Sequence, residues 1–266
     1  MARLDFPDYL EHINTESQRF RDVLASCDPR ARVPACPDWN AADLLDHLTQ
    51  VQHGWAWVVE HRPASQAEGG YVAPERPASY DALLKSFDEC SSALVAALEQ
   101  ADPAEPAWTW STEQTVGFTF RRQAHEALIH RLDAEQTAGD VTPLARALSA
   151  DGVEECLDVM YGGCPPWGEF HPLPHHVRVD CTDTGDSVWV QIGRFVGTDP
   201  RDDVHYDEDD INVVGDPGVE PDAVISGKAS TVLTRLWRRG DGAEIHLAGD
   251  MAIVDHFRAA IHHPLD

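Results

Sequence analysis

The chain has 266 residues, and 46 Asp and Glu against 20 Lys and Arg give it a formal net charge of −26. An acidic field of this strength repels nucleic-acid phosphates and anionic membrane surfaces, which argues against both as partners. A hydrophobic fraction of 42% is enough to build a substantial core, and no apolar run approaches the roughly 20 residues that span a bilayer. We therefore expect a folded protein that acts on a small-molecule substrate, whereas the sequence leaves the oligomeric state open.

The spacing of the cysteines indicates the cellular compartment. Six cysteines are spread along the chain without a CxxC pair, and residues 1–13 lack a basic stretch followed by an apolar one. This arrangement does not indicate a disulfide framework or a secretory leader. We therefore predict a cytoplasmic protein.

The first half of the chain has the period of amphipathic helices. Apolar residues recur at helical spacing in four segments, 5–27, 41–60, 80–101 and 118–137. Asn40 followed by Asp43 predicts a capping box at the start of the second helix, and Gly139 predicts the end of the fourth. Four long helices with moderate linkers predict an antiparallel four-helix bundle.

The second half has a different pattern. Residues 143–161 allow one more helix, and the Pro-, Gly- and His-rich segment 162–176 predicts a linker. The segments HVRVDCTD and SVWVQIGRF alternate with the two-residue period of paired strands, and DAVISG and AEIHLAG add two further strands. ASTVLTRLWRR and DMAIVDHFRAAI predict helices, the latter with Asp250 as its N-cap.

Ten acidic residues between 199 and 222 predict an exposed loop or sheet edge. Together these segments predict an α+β protein in which a helical domain, residues 1–145, is followed by a smaller α+β domain, residues 146–266.

The segment RRQAHEALIHRLDAE, in the fourth predicted helix, is the best candidate for chemistry. Glu126 and His130 are four residues apart, so both project from one helix face and can reach a single ion. His125 and His130 diverge by about 140°, which separates this motif from the zincin HExxH. His47 lies on the inward stripe of the second helix and is a candidate third ligand. Two imidazoles and one carboxylate leave an open position, which is typical of a catalytic zinc site.

Each of these residues also has an ordinary structural interpretation. In a chain with 14 histidines a Glu/His pair at this spacing arises easily by chance, and His47 alone fits a hydrogen-bonded core histidine. Asp133, three residues after His130, fits a surface carboxylate better than a partner that orients the imidazole. Arg122, four residues before Glu126, fits either a grip on a substrate carboxylate or a helical ion pair.

Two segments of the first half, taken together, resemble a known family. VPACPDWNAADLLDHLTQVQHGW and, further along the chain, RRQAHEALIHRLDAE are similar to the N-terminal domain of the mycothiol-dependent maleylpyruvate isomerase family, a branch of the DinB-like four-helix metalloproteins. The segment ISGKASTVLTRLWRR resembles the C-terminal domain of that family. The resemblance covers nearly the whole chain and implies a DinB-like bundle followed by the family's α+β domain.

The resemblance also implies a ligand set and site residues. Zinc, or another divalent transition metal, is implied at His47, Glu126 and His130. Arg239 corresponds to an arginine at the end of the family's C-terminal helix, and it joins Arg122 as a candidate catalytic residue for meeting substrate carboxylates. Arg238 stands where the family often has glycine.

The chemistry implied by the family uses mycothiol as a thiol cosubstrate. Its thiolate adds to a cis double bond conjugated with a carbonyl, the adduct rotates, and elimination gives the trans acid. Addition without elimination would make an S-transferase for small electrophiles. Two other functions stay open: a non-catalytic small-molecule-binding protein, and a DinB-like metal-dependent hydrolase that activates water.

Overall fold

The structure is a computed structural model that describes residues 3–65, 70–263 and 265. The chain divides into two compact units, one formed by Leu4–Pro143 and the other mainly by Leu144–Asp266. The first unit is built from helices, and the second combines helices with a five-stranded sheet. The α+β class predicted from the sequence is confirmed.

Four long helices form the first unit. They are α1 (Phe6–Ala25), α2 (Ala41–His61), α3 (Tyr80–Gln100) and α4 (Val116–Ala138). Helix α1 packs on α4 and α2 packs on α3, and contacts of α1 with α3 and of α2 with α4 complete the predicted four-helix bundle. Within the part of the chain that the structure describes, no helix is both long and apolar enough to cross a membrane.

The predicted helix ends have clear local causes. The Asn40 side chain accepts hydrogen bonds from the backbone N–H groups of Ala42 and Asp43, and the Asp43 carboxylate accepts one from the backbone N–H of Asn40. This is the predicted capping box, and it sets where α2 begins. Helix α4 ends at Gly139, whose φ of 82° lies in the left-handed region that glycine enters without steric cost.

The bundle core is apolar where α1, α2 and α3 meet, whereas α4 also buries charged and polar side chains. Phe20, Leu44, Leu48 and similar side chains of α1 to α3 are fully buried against one another. Helix α4 is buried from Val116 through Glu135, although this stretch carries several charged and polar residues. Because an unpaired buried charge is costly, these groups must find partners inside the protein.

The second unit begins with α5 (Arg146–Glu155), which continues into a π-helix (Cys156–Tyr161). The single helix predicted over 143–161 is therefore α-helical at first and π-helical at its end. The remaining elements are β1 (Gly168–Cys181), β2 (Asp186–Thr198), β3 (His205–Val214), β4 (Ala223–Gly227), α6 (Ala229–Leu236), β5 (His246–Gly249) and α7 (Met251–Ala260). The strand order is β3-β2-β1-β4-β5. Strands β1 and β4 run parallel, and the other neighbours are antiparallel.

The linker predicted over residues 162–176 is wrong from Gly168 onward. Strand β1 begins there and pairs with β2 along most of its length. The register shifts between Pro172 and His176, and the strand thereby accommodates two prolines that cannot donate to the ladder. Pairing with the following strand, β2, outweighs the local proline signal.

The acidic segment forms an edge of the sheet, in agreement with the prediction. Strand β3 is the outermost strand on one side, and it carries four consecutive acids, residues 207–210. Arg194 on β2 pairs with Asp207 and Asp209 at 2.7 and 2.8 Å. Charged side chains on an edge strand oppose pairing with a further strand.

Candidate metal centre

The structure brings the three predicted ligands together between α2 and α4. His130 Nε2 lies 3.1 Å from Glu126 Oε1, and His47 Nε2 lies 3.5 Å from the same oxygen. One ligand atom from each of the three residues lies within 4.8 Å of the others. The four-residue spacing along α4 therefore does converge on one point, and α2 supplies the third group.

These distances fit a single cation. Ligand atoms bound about 2.1 Å from a tetrahedral ion lie roughly 3.4 Å apart, close to the two separations measured at the Glu126 oxygen. His47 Nε2 is buried and has no hydrogen-bond partner within normal distance among the described residues. A buried nitrogen lone pair without a donor is a costly feature that a metal would remove.

Asp133 lies directly behind His130. Its Oδ2 is 3.1 Å from His130 Nδ1, and both side chains are buried. The expectation of an ordinary surface carboxylate is therefore wrong, because α4 is covered on this side as well. A proton on Nδ1 donated to Asp133 leaves Nε2 as a lone pair directed at Glu126 and His47, which is the tautomer that a metal ligand needs.

Arg122 contacts the remaining oxygen of the same glutamate. Its Nη2 is 3.1 Å from Glu126 Oε2, one turn away on α4, and the Arg122 side chain is only 3% exposed. The ion-pair interpretation of Arg122 is thus seen in the structure. A buried charge-assisted contact of this kind orients the carboxylate so that Oε1 faces the two histidines.

The electrostatics of the cluster favour a positive charge between its members. Burial alone raises the pKa of Glu126, but its hydrogen bond with His130, its contact with His47 and the nearby Arg122 hold that pKa well below its ordinary value. Burial lowers the pKa of His130, whereas its contacts with Asp133 and Glu126 outweigh burial and raise that pKa to about 9. Without metal, a proton on His130 occupies the place that a cation would take.

The His47 side of the cluster is more exposed than the His130 side. The His47 side chain is 25% exposed, in contrast to 1% for His130. The ring of Trp39 packs against the His47 ring with centroids 4.8 Å apart. Sequence analysis gave Trp39 no role at the site, because it precedes α2 in an irregular segment and no helical spacing links it to His47.

Arg239 occupies a different setting in the second unit. Its Nη1 donates hydrogen bonds to the backbone carbonyls of Trp237 and Leu265 at 2.7 and 2.8 Å, and the residue is buried. These bonds hold the end of α6 to the end of the chain, and a catalytic role for Arg239 stays a prediction. The neighbouring Arg238 has a φ of 58°, a conformation that costs most residues about 1 kcal/mol or more, which explains why glycine suits this position.

Comparison with known families agrees with the fold. Residues 10–135 match the mycothiol maleylpyruvate isomerase N-terminal domain, and residues 147–256 match the C-terminal domain of the same family. The chain belongs to the mycothiol-dependent maleylpyruvate isomerase family. Its members are enzymes, and the resemblance described from the sequence is confirmed.

Solved structures of this family share the fold. A histidine-to-alanine mutant of the mycothiol-dependent maleylpyruvate isomerase aligns with a TM-score of 0.59 and 13% identity, over 92% of this chain and 93% of the other. A second crystal structure of that isomerase gives a TM-score of 0.57 and 12% identity over the same shares. A comparison with curated proteins gives no match in sequence.

Proposed function

We propose that this family member is a zinc-dependent enzyme that uses mycothiol to isomerise a small unsaturated acid of the maleylpyruvate type. The observation that carries the proposal is the convergence of His47, Glu126 and His130 within 4.8 Å, with His130 backed by a buried carboxylate. The same centre would also serve an S-transferase, because both reactions begin with addition of a thiolate to an electrophilic carbon.

The charge of the site supports a thiolate-binding role. With neutral imidazoles, Glu126, Asp133 and Arg122 together carry one net negative charge, so a divalent cation would make the cluster positive. Zinc held by these three ligands would leave one position open for the mycothiol sulfur and lower the pKa of its thiol. The exposed side of His47 gives the direction from which a thiol and a substrate could arrive.

The chain's own residues would hold this arrangement in place. Asp133 fixes the tautomer and ring orientation of His130, and Arg122 fixes the rotation of the Glu126 carboxylate. Arg122 lies beside the cluster, and its forked guanidinium is suited to carboxylates, so it is our candidate for meeting a substrate carboxylate there. Trp39 restricts His47 through ring contact and shields one side of it from water.

Metal analysis of the purified protein tests the ligand set. We expect about one zinc per chain in the wild type, and less than a tenth of that in His47→Ala and His130→Ala. His53→Ala is the matched control, because His53 lies on α2 but outside the cluster, hydrogen-bonded to Tyr71. Equal metal contents in all four proteins would remove the proposed site.

Activity assays separate the candidate reactions. We expect conversion of maleylpyruvate to its trans isomer only when mycothiol and metal are both present. A stable mycothiol adduct with an added electrophile would instead identify an S-transferase. Hydrolysis of an ester or amide without thiol would favour the metal-dependent hydrolase, in which water takes the open position.

A further inference from the structure

The second unit has a cavity of its own, separate in its residues from the metal cluster. It has a volume of about 460 Å³ and lies among β4, β5, α6 and α7. Its apolar lining includes Val179, Ile225, Leu236, Leu247 and Phe257. A volume of this size is within the range of small-molecule sites, which are concave, mostly apolar and carry a few placed polar groups.

The polar lining of this cavity has the opposite sign to the rest of the chain. Three arginines, Arg235, Arg238 and Arg258, line it together with a single acid, Asp241. The whole chain has only 20 Lys and Arg against 46 Asp and Glu. A local excess of cations in so acidic a chain provides a favourable place for an anion, because elsewhere the field repels it.

Among the three arginines, Arg235 has the guanidinium available for a ligand. Arg258 pairs with Asp255 at 3.0 Å, and Arg238 donates to the backbone carbonyls of Ile261 and His262. Within the described residues Arg235 makes no ion pair and is exposed on α6.

The stem of Arg235 is fitted closely to the cavity wall. A Cβ at Gly242 would lie 3.0 Å from Arg235 Cδ, and Gly242 also has a φ of 70°. Glycine therefore lets the Arg235 stem lie flat along the segment between α6 and β5. The stem contributes to the wall, and the side chain as a whole is exposed, as is usual for an arginine that buries its stem and keeps its charge near water.

We propose that this cavity binds a small organic anion, a carboxylate carried on an apolar chain or ring. The guanidinium of Arg235 would bind the carboxylate, for which its forked N–H groups are suited, and the apolar lining would bury the body of the ligand. None of the lining residues belongs to the metal cluster, so this site is a second one, independent of the proposed isomerase chemistry.

Calorimetry with decanoate, decanol and decyltrimethylammonium tests the proposal on the full chain. We expect decanoate to bind at least tenfold more tightly than the cationic analogue, with decanol between them. Arg235→Gln should weaken decanoate binding about tenfold or more and leave decanol binding unchanged, since it removes a charge-assisted contact only. Arg194→Gln, a β2 arginine outside the cavity, is the matched control and should change neither.

Two further variants and a comparison with lipid vesicles test where and what the cavity binds. Leu247→Asp places an anion at the partly exposed mouth and should abolish decanoate binding, whereas His130→Ala should leave it unchanged. Equal affinities for decanoate and decyltrimethylammonium, or unchanged decanoate binding in Arg235→Gln, would overturn the proposal. Tighter binding to anionic lipid vesicles than to free decanoate would also overturn it, because the ligand would then be a membrane surface.

Discussion

The Asp133 carboxylate and the His130 imidazole lie 3.1 Å apart, one turn from each other on α4, and the structure buries both. This pair supports the cluster from the inside: Asp133 accepts a hydrogen bond from the Nδ1–H of His130, and Nε2 is left for Glu126 and a metal. Burial strengthens this hydrogen bond, because little water reaches the carboxylate to compete with the imidazole. The relationship separates His130 from an ordinary core histidine, which has no need of a charged partner.

Replacing Asp133 with asparagine tests this support. The side chain keeps its size but loses its charge, so the His130 ring becomes less basic and less firmly oriented. We expect zinc affinity to fall by about 10- to 100-fold, measured by competition with a chromogenic chelator. Asp140→Asn, an exposed position just beyond the end of α4, is the control and should leave the affinity unchanged. Identical affinities in both variants would show that Asp133 only fills space.

Arg122 is the next group along the same helix, and Arg122→Gln distinguishes its two possible roles. If Arg122 meets a substrate carboxylate, KM for the unsaturated acid should rise about tenfold or more while zinc content stays near one per chain. If it serves only to orient Glu126, zinc affinity should fall and KM should stay constant. Arg121 is a neighbouring buried arginine on another side of α4, so Arg121→Gln controls for a general loss of stability.

The sequence predicted the cluster because helical spacing is a local property. Glu126 and His130 share a face by geometry alone, and the capping box at Asn40 sets the start of the helix that carries His47. The convergence of the two helices is a tertiary feature: the inward stripe of α2 made His47 a candidate, and the family resemblance then supported the full ligand set. Asp133 was misjudged because its burial depends on how α4 is covered on all sides, which no local pattern records.

The errors in the second half have a similar cause. Prolines and glycines between 162 and 176 predict a linker, yet β1 begins at Gly168 because β2 supplies hydrogen-bond partners along its length. Strand pairing joins residues far apart in sequence, so local composition describes it poorly. The acidic segment 199–222 was predicted as an exposed loop or sheet edge, without a strand, and its strand β3 does lie at an edge, where charge is tolerated.

Asp210 on β3 predicts a pH dependence of stability. Burial raises its pKa to about 6, and Glu208 adds to this, although a hydrogen bond from the Ile211 N–H acts in the opposite direction. The folded protein therefore holds this proton more tightly than the unfolded chain. The resulting contribution to stability is complete below about pH 4 and is lost as the pH rises through 6.

Asp210→Asn removes the ionisation while keeping the shape. We expect the variant to have a higher Tm than the wild type at pH 7.5, and the difference to shrink or vanish at pH 4, as followed by circular dichroism. Glu220→Gln, at an exposed position, should show no such trend. A Tm difference that is constant between pH 4 and pH 7.5 would contradict the pKa assignment.

Glu135, on α4, is paired with two arginines of very different exposure. Arg131 Nη1 and Arg19 Nε each lie 2.7 Å from one of its oxygens, but the side chain of Arg131 is 3% exposed and that of Arg19 is 42% exposed. Arg131 also bonds Glu16 at 2.7 Å, so it lies between two buried carboxylates. Removing Arg131 leaves the buried Glu16 carboxylate without its cation and with little access to water. Water can replace much of the hydrogen bonding that the exposed Arg19 gives to Glu135.

We therefore expect Arg131→Met to lower the free energy of unfolding by about 3–5 kcal/mol and Arg19→Met to lower it far less, measured by urea denaturation. The double variant Arg131→Met with Glu16→Gln should recover part of the loss, because it removes the uncompensated charge together with its partner. Equal losses of unfolding free energy in the two single variants would mean that burial does not set how much these ion pairs stabilise the protein. No recovery in the double variant would mean that Arg131 acts through packing of its stem rather than through its charge.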